Sequence, residues 1–353
     1  MSTSKTILIM AGGTGGHIFP GLAVAEVLRA QGHTVVWLGA EGAMEERIVP
    51  QHGIELHTLK IKGLRGNGLL GWLKAPFNVI KAIAMARSMI KSIQPDAVLG
   101  MGGYASGPGA LAAWLLRIPV VIHEQNAIAG LTNRTLHNFS TRTCEGFEGT
   151  FRNTYRLFST GNPVRQEIQP TSKEPSERLR VLVIGGSLGA QVLNERVPQA
   201  MQLLDENQFE VWHQSGRNKL NQTEQAYANL KHPKRIAEFI DDMPTAYQWA
   251  DVVICRAGAL TVAELAQSGN VGIFVPLPIA VDDHQTANAN YLVSRDAGVM
   301  IPQNKLTAEA LAEQLLQWQQ QPSVLQTMRE NALAAARPKA AEAVAQLCLQ
   351  VIE

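Results

Sequence analysis

Cysteine is scarce in this 353-residue chain. Its three thiols, Cys144, Cys255 and Cys348, are odd in number and far apart. They supply neither a disulfide framework nor a Cys-rich zinc site, and they fit a reducing compartment. Net charge is nearly absent as well: 31 Lys+Arg against 30 Asp+Glu leave +1, which excludes a protein that holds nucleic acid through bulk positive charge. The richest apolar run, Gly109 to Ile122, is broken by Arg117 and Pro119 and falls short of the ~20 residues a bilayer span needs. The opening MSTSKTILIM leads into a strand-like segment with no secretory h-region or cleavage site. Disorder is excluded by an apolar fraction of 46%. Because a single core rarely grows past about 250–300 residues, the length predicts two domains.

What is present is a repeated strand–helix grammar. TILIMA (6–11), TVVWLG (34–39), DAVLGM (96–101) and PVVIHE (119–124) read as buried strands with helix-length segments between them. In GLAVAEVLRAQG (21–32), Pro20 suits the first turn and Gly32 the C-cap. The pattern restarts with RVLVIGG (180–186), FEVWHQSG (209–216), ADVVICRAG (250–258) and NVGIFVP (270–276). Apolar strands alternating with helices predict parallel sheets covered on both faces, here in two copies of one α/β domain. The polar, proline-containing stretch 166–180 places the joint just before it, near GNPVR (161–165). The Ala-rich segment 338–353 reads as a helix whose docking site the pattern does not reveal.

Four Gly-containing loops follow strands: GGTGGH (12–17), MGGYASGPG (101–109), GGSLGA (185–190) and CRAGALTVAE (255–264). Glycine exposes consecutive backbone N–H groups, and a following helix N-terminus adds partial positive charge, so such loops cradle phosphates. Any one of them could be only a tight turn. Four at the carboxyl ends of parallel strands favour a ligand site. None has the GxxxxGK[ST] form or contains a lysine, which argues against a phosphate-transferring P-loop. GGTGGH lacks the third glycine of GxGxxG at its proper spacing, which weakens a dinucleotide dehydrogenase, although Glu41 follows the next strand. In CRAGALTVAE a helix beginning near Ala259 leaves the amides of Ala259 to Thr261 free, with Glu264 about one turn on. That arrangement suits a nucleoside diphosphate, with the carboxylate on the ribose hydroxyls. A surface carboxylate is the plainer alternative for Glu264.

GGTGGHIFPGLA, LGMGGYASGP, HEQNAIAGLTN, GNPVR, GGSLGA, EFIDDM, CRAGALTVAE and DDHQTANA occur in this order between residues 12 and 289. Together they resemble the MurG family of peptidoglycan synthesis over nearly the whole chain. The resemblance implies a GT-B fold: two Rossmann-like, doubly wound α/β domains facing across a cleft. It assigns 1–162 to an acceptor- and membrane-associating domain and 163–338 to a UDP-sugar-binding domain, with the helix 339–353 packing back on the first. The implied enzyme is an inverting hexosyltransferase. It moves N-acetylglucosamine from UDP-N-acetylglucosamine to the C4 hydroxyl of the muramoyl-pentapeptide of lipid I, giving lipid II. Its implied place is the cytoplasmic face of the bacterial plasma membrane, as a peripheral protein. Implied partners are UDP-N-acetylglucosamine, lipid I, anionic lipid and other cell-wall synthesis proteins, with no nucleic acid.

By the same resemblance, Ile240 meets the uracil through its backbone and Arg165 lies near the nucleotide. Ser187 and the amides of Ala259, Leu260, Thr261, Val262 and Ala263 hold the diphosphate, Glu264 the ribose and Gln285 the sugar hydroxyls. Thr14, Gly15, Gly16 and Asn126 complete the donor site. Gly102, Gly103, Tyr104 and Ser106 face the acceptor diphosphate. An inverting displacement needs a base for the acceptor hydroxyl and stabilisation of departing UDP. His17, at the first helix N-terminus, is the favoured base, because that end opposes protonation. A phosphate contact by His17 is the alternative role, and Glu124 is the competing carboxylate. No DxD, HxxxH or HxH occurs, so neither a metal nor another cofactor is expected.

The segment 68–91 carries Leu69, Leu70, Trp72, Leu73, Phe77, Val79 and Ile80 among Lys74, Lys81, Arg87 and Lys91, with Lys62 and Arg65 upstream and WLLR at 114–117. An apolar face rimmed by cations suits adsorption to anionic lipid, and a helix packed on its sheet is the competing reading. Rival functions are a UDP-N-acetylglucosamine 2-epimerase or a diacylglycerol glycosyltransferase on the same fold, and a non-catalytic nucleotide-sugar sensor. The epimerase has no need of the Trp/Lys patch, and the sensor has no use for His17.

Overall fold

The computed structural model describes residues 4–61, 68–152, 154–170, 177–278 and 283–353, with backbone alone for 68–76. They form two compact units: residues up to Arg165 together with Pro338–Glu353, and Gln166–Arg337. The division lies at Arg165/Gln166 where the sequence reading has 162/163. The physical reason is that GNPVR is tied to the first unit. His123 Nε2 donates to the Gly161 carbonyl, and the Asn162 amide donates to the Gln125 carbonyl.

The first unit runs β1 (Thr6–Ala11), α1 (Gly15–Ala30), β2 (Thr34–Ala40), α2 (Glu45–Ile48), β3 (Glu55–Leu59), α3 (Gly68–Ile93), β4 (Ala97–Gly102), α4 (Ser106–Leu115), β5 (Val120–Glu124), α5 (Leu131–Leu136), β6 (Arg142–Glu145) and β7 (Leu157–Ser159). Its sheet order is β3-β2-β1-β4-β5-β6-β7, parallel throughout. Side chains alternate between two cores, as period-2 strands require. Ile7, Ile9, Val35 and Trp37 face α1, whereas Leu8, Met10, Val36 and Leu38 face the α3–α4 side.

The second unit runs β8 (Leu179–Ile184), α6 (Gln191–Met201), β9 (Phe209–Gln214), α7 (Leu220–Ala226), β10 (Lys234–Ala237), α8 (Met243–Trp249), β11 (Val252–Cys255), α9 (Ala259–Ser268), β12 (Val271–Phe274), α10 (His284–Val293), β13 (Gly298–Met300), α11 (Ala308–Gln320) and α12 (Pro322–Ala335). Its parallel sheet is ordered β10-β9-β8-β11-β12-β13. The C-terminal helix α13 (Ala340–Gln350) belongs to the first unit, where Val344, Ala345, Leu347 and Cys348 join the α1-side core.

In both sheets the strand order reverses beside the first strand, between β1 and β4 and between β8 and β11. The four Gly-containing loops follow just these strands, so each unit carries two of them at its topological switch point, where open α/β sheets bind ligands.

One ion network and two buried imidazoles contribute to stability. Asp251 opens β11 with its carboxylate shared by two arginines. Arg180 on β8 reaches it through Nε at 3.0 Å and an Nη at 3.2 Å, and Arg329 on α12 through an Nη at 3.0 Å. The Arg180 backbone N–H adds a further bond at 2.9 Å.

Each unit also buries a neutral histidine with both ring nitrogens hydrogen-bonded. His123 on β5 donates from Nε2 to Gly161 and accepts at Nδ1 from Gln125, and burial pushes its pKa down to about 4. His213 on β9 donates from Nε2 to Asn194 Oδ1 and accepts from the Tyr227 hydroxyl, and burial pushes it down to about 3. The unfolded chain takes up these protons near pH 6.5, before the folded one can. Stability is therefore complete above that pH and declines as pH falls through 6.5 towards the two folded values. Urea midpoints should show losses on the order of 3 kcal/mol in the first unit and 5 kcal/mol in the second across those windows. Midpoints that stay level from pH 7 to pH 4 contradict this.

Candidate active site

In the first unit the turn after β1 is shaped by a buried carboxylate that sequence reasoning missed. Glu45 accepts the N–H of Gly13 at 3.0 Å and that of Ala40 at 2.8 Å. A Cβ on Gly12 would fall 2.0 Å from Glu45 Oε1, so glycine there is a condition of close packing. Glu41, the acidic residue visible after β2, is instead exposed. No local pattern marks Glu45; its role arises from the fold.

Thr14 is the exposed N-cap of α1, and the first helix bonds run from the N–H groups of His17 and Ile18 to its carbonyl. The amides of Gly15 and Gly16 precede that ladder and remain available to an anion. His17 Nδ1 lies 3.2 Å from the Gly12 carbonyl and 3.4 Å from Thr14 Oγ1. A carbonyl only accepts, so Nδ1 carries the proton and Nε2 presents a lone pair. Burial lowers the His17 pKa; the Gly12 hydrogen bond and the charges of Glu124 and Glu45 oppose that shift without reversing it. The ring is thus neutral at pH 7. It packs on Gly102, whose φ is +110° and where a Cβ would stand 2.7 Å from His17 Cδ2.

Glu124, the rival carboxylate, ends β5 with both oxygens engaged. Oε1 accepts the Asn126 N–H and side-chain amide at 3.1 Å each, and Oε2 accepts Gly130 N–H at 3.1 Å and Asn133 Nδ2 at 2.9 Å. It holds the HEQNAIAG loop and Asn126 in shape. Gly103 abuts the Gly12 carbonyl, and Tyr104 is exposed. Ser106 corrects the sequence expectation: it is fully buried, and its hydroxyl bonds the Met10 and Gly102 carbonyls and accepts the Gly102 N–H. It fastens β4 to β1 and has no surface to offer an acceptor. Arg165 sits in the first unit with its guanidinium 5.3 Å from the Phe19 ring centre.

In the second unit Ser187 is exposed on the loop after β8, and its carbonyl accepts the Arg217 N–H. The Ile240 N–H is taken by Gln214 Oε1 at 3.0 Å, while Gln214 Nε2 donates to the Gly186 carbonyl. That leaves the Ile240 carbonyl as the backbone group able to meet a base edge. Helix α9 begins at Ala259, and its first bond runs from Val262 N–H to the Gly258 carbonyl. The amides of Ala259, Leu260 and Thr261 are therefore open to a diphosphate. Those of Val262 and Ala263 lie inside the helix ladder, a correction to the longer run expected. Arg256 and Asn288 brace this turn, Arg256 through the carbonyls of Val275 and Pro276 and Asn288 through that of Ala257. Glu264 is partly exposed on α9 and receives the Tyr247 hydroxyl at 2.8 Å. Gln285 spends its carbonyl oxygen on Leu277 N–H at 2.9 Å, which leaves its NH2 as the donor half.

Comparison with known proteins bears on both units. Residues 7–144 match the Glycosyltransferase family 28 N-terminal domain, and residues 180–345 match the Glycosyltransferase family 28 C-terminal domain. The UDP-N-acetylglucosamine--N-acetylmuramyl-(pentapeptide) pyrophosphoryl-undecaprenol N-acetylglucosamine transferase of Psychromonas ingrahamii is 50% identical, with all of each chain covered. The chain belongs to glycosyltransferase family 28, among the MurG transferases. The transferase of the same name from Alkalilimnicola ehrlichii is 51% identical over 98% of both chains. The crystal structure of Acinetobacter baumannii MurG superposes with a TM-score of 0.84 at 41% identity, covering 98% of this chain and 99% of that one. The two-domain parallel α/β fold expected of the family is the fold observed.

In this MurG-family chain the described part of α3 carries both a buried stripe and exposed apolar residues. Ala82, Ala86 and Ile90 form a buried stripe on the sheet, while Phe77 (76% exposed) and Ile80 (64%) lie off it. The expected Lys62 and Arg65, and the side chains of Leu69, Leu70, Trp72, Leu73 and Lys74, lie outside the described residues. Trp114 and Leu115 on α4 and Leu131 on α5 are also exposed, and Lys81, Arg117 and Arg134 are exposed cations of the same helices and their ends. Among the described residues no helix is long and apolar enough to cross a membrane. Among them, too, no three His, Cys, Asp or Glu side chains converge as a cation site.

Proposed function

We propose that this protein transfers N-acetylglucosamine from UDP-N-acetylglucosamine to the C4 hydroxyl of the muramoyl sugar of lipid I, with inversion, to give lipid II. The observation that carries the reading is end-to-end identity of one half to a transferase named for that reaction. His17 is the general base: its Nε2 takes the acceptor proton as the oxygen attacks the anomeric carbon and the bond to UDP breaks. Two features support that role, the Nδ1–H held by Gly12 and the lowered pKa, which together keep Nε2 unprotonated. Glu124 is not the base, because four N–H bonds occupy its two oxygens.

The departing diphosphate is stabilised by the amides of Ala259, Leu260 and Thr261 at the α9 N-terminus, with Ser187 beside them. Glu264 takes the ribose hydroxyls, the Ile240 carbonyl accepts the uracil N3–H, and the Gln285 NH2 donates to the sugar. Arg165 neutralises nucleotide charge. Thr14, the amides of Gly15 and Gly16, and Asn126 bind the donor sugar and phosphate. Gly102, Gly103 and Tyr104 face the acceptor diphosphate. The protein works as a peripheral enzyme on the cytoplasmic face of the bacterial plasma membrane. Phe77, Ile80, Trp114, Leu115 and Leu131 enter the interface, and neighbouring cations meet anionic headgroups.

The test supplies UDP-N-acetylglucosamine and a short-chain lipid I analogue in the presence of EDTA. A β-1,4-linked disaccharide product and stoichiometric UDP are expected, at the rate seen without chelator. Epimerised donor with no disaccharide, or turnover abolished by EDTA, contradicts the assignment.

A further inference from the structure

Glu264 is held by a residue that has no surface of its own. Tyr247 on α8 is 1% exposed, yet its hydroxyl donates to Glu264 Oε2 at 2.8 Å. Its own position is fixed from both sides. Asp242 caps α8, accepting Thr245 N–H at 3.0 Å and the Thr245 hydroxyl at 2.6 Å. At the other end Asn270 Nδ2 donates to the Tyr247 carbonyl at 3.0 Å. The second aspartate of EFIDDM thus anchors the helix that aims Tyr247, and the same short segment presents the Ile240 carbonyl.

A glutamate side chain has three rotatable bonds, and ordering it at the moment of binding costs affinity. One phenolic donor on one oxygen removes much of that cost. A carboxylate has about four acceptor sites, so one phenolic bond is compatible with accepting from two vicinal hydroxyls.

We propose that Tyr247 is a positioning residue for nucleotide recognition: its hydroxyl presets the Glu264 carboxylate for the 2′- and 3′-hydroxyls of a ribonucleoside diphosphate. Preference for ribose over 2′-deoxyribose then depends on a side chain that never touches the ligand. This rests on the assignment of Glu264 to the ribose, and the test separates the two.

Binding of UDP and of 2′-deoxy-UDP is measured by calorimetry for the full chain, for Tyr247→Phe and for Glu264→Gln, with steady-state kinetics alongside. Tyr247→Phe removes one oxygen and keeps the packed ring. It should weaken UDP about tenfold and 2′-deoxy-UDP far less, so the ratio of the two affinities shrinks. The KM for UDP-N-acetylglucosamine should rise by a similar factor while kcat stays within about twofold. A merely structural tyrosine would weaken both nucleotides equally, and that result overturns the proposal. So does an unchanged ratio in Tyr247→Phe beside a collapsed ratio in Glu264→Gln, which leaves the ribose assignment standing. An unchanged ratio in Glu264→Gln removes the ribose assignment and the proposal together.

Discussion

Replacing His17 with alanine should lower kcat by about 100- to 10,000-fold while UDP affinity changes by no more than a few fold. The large effect follows from geometry rather than from the residue type alone. The Gly12 carbonyl holds Nδ1–H, so the lone pair is on Nε2 without any tautomer change. Packing against Gly102 and burial keep the ring neutral at working pH. Because the His17 pKa is lowered, its base form persists below pH 6.5, and the acid limb of kcat/KM should lie under that value. The decisive comparison sets kcat against the UDP dissociation constant in the same variant. A large loss of UDP affinity with kcat preserved would make His17 a phosphate contact. Glu124→Gln is the control. It trades a carboxylate for an amide among four N–H donors, so it should damage the 125–133 loop and lower the melting temperature, unlike His17→Ala.

Asp251→Asn should destabilise the second unit by about 3–5 kcal/mol. The carboxylate is 8% exposed and is the shared partner of Arg180 and Arg329, whose side chains are 22% and 16% exposed. An amide cannot neutralise two guanidinium groups, and its NH2 would face N–H donors that the carboxylate now accepts. Two cations would then be left desolvated and unpaired, which costs more than the pair contributed. The bonds also tie β8, β11 and α12 together, so the loss is not confined to one surface. A loss of that size is a large share of the ~5–15 kcal/mol that stabilises a typical domain, and it lowers the melting temperature by roughly 10 °C. Urea unfolding followed by tryptophan fluorescence measures it; a change below about 1 kcal/mol would show that solvent already compensates the arginines.

Legibility was uneven for physical reasons. Central strands such as β1, β4, β8 and β11 are buried on both faces, so they appear as unbroken apolar runs that the sequence locates to within about three residues. The edge strand β3 and the short β6, β7, β10 and β13 were not singled out. ELHTL in β3 and KRIA in β10 are only partly covered and lack an apolar run. Among site residues, Ala259 to Thr261 could be placed because a helix start is a local property. Ser106 could not: its hydroxyl is consumed by Met10, a residue far away in the chain.

The chain's order of residues was enough to establish two α/β halves, four loops at strand ends and the kinship with one transferase family, and it pointed to a nucleoside diphosphate. These all depend on short-range rules, apolar periodicity and glycine at turns, or on motifs that keep their spacing. Folding alone settled which candidates are chemically available. It saturated Glu124, buried Ser106, spent the Ile240 N–H on Gln214, set the His17 tautomer, and joined Glu45 to Gly13 and Tyr247 to Glu264. A hydrogen-bond partner is chosen by proximity in space, and proximity between separate elements is written in no single stretch of sequence.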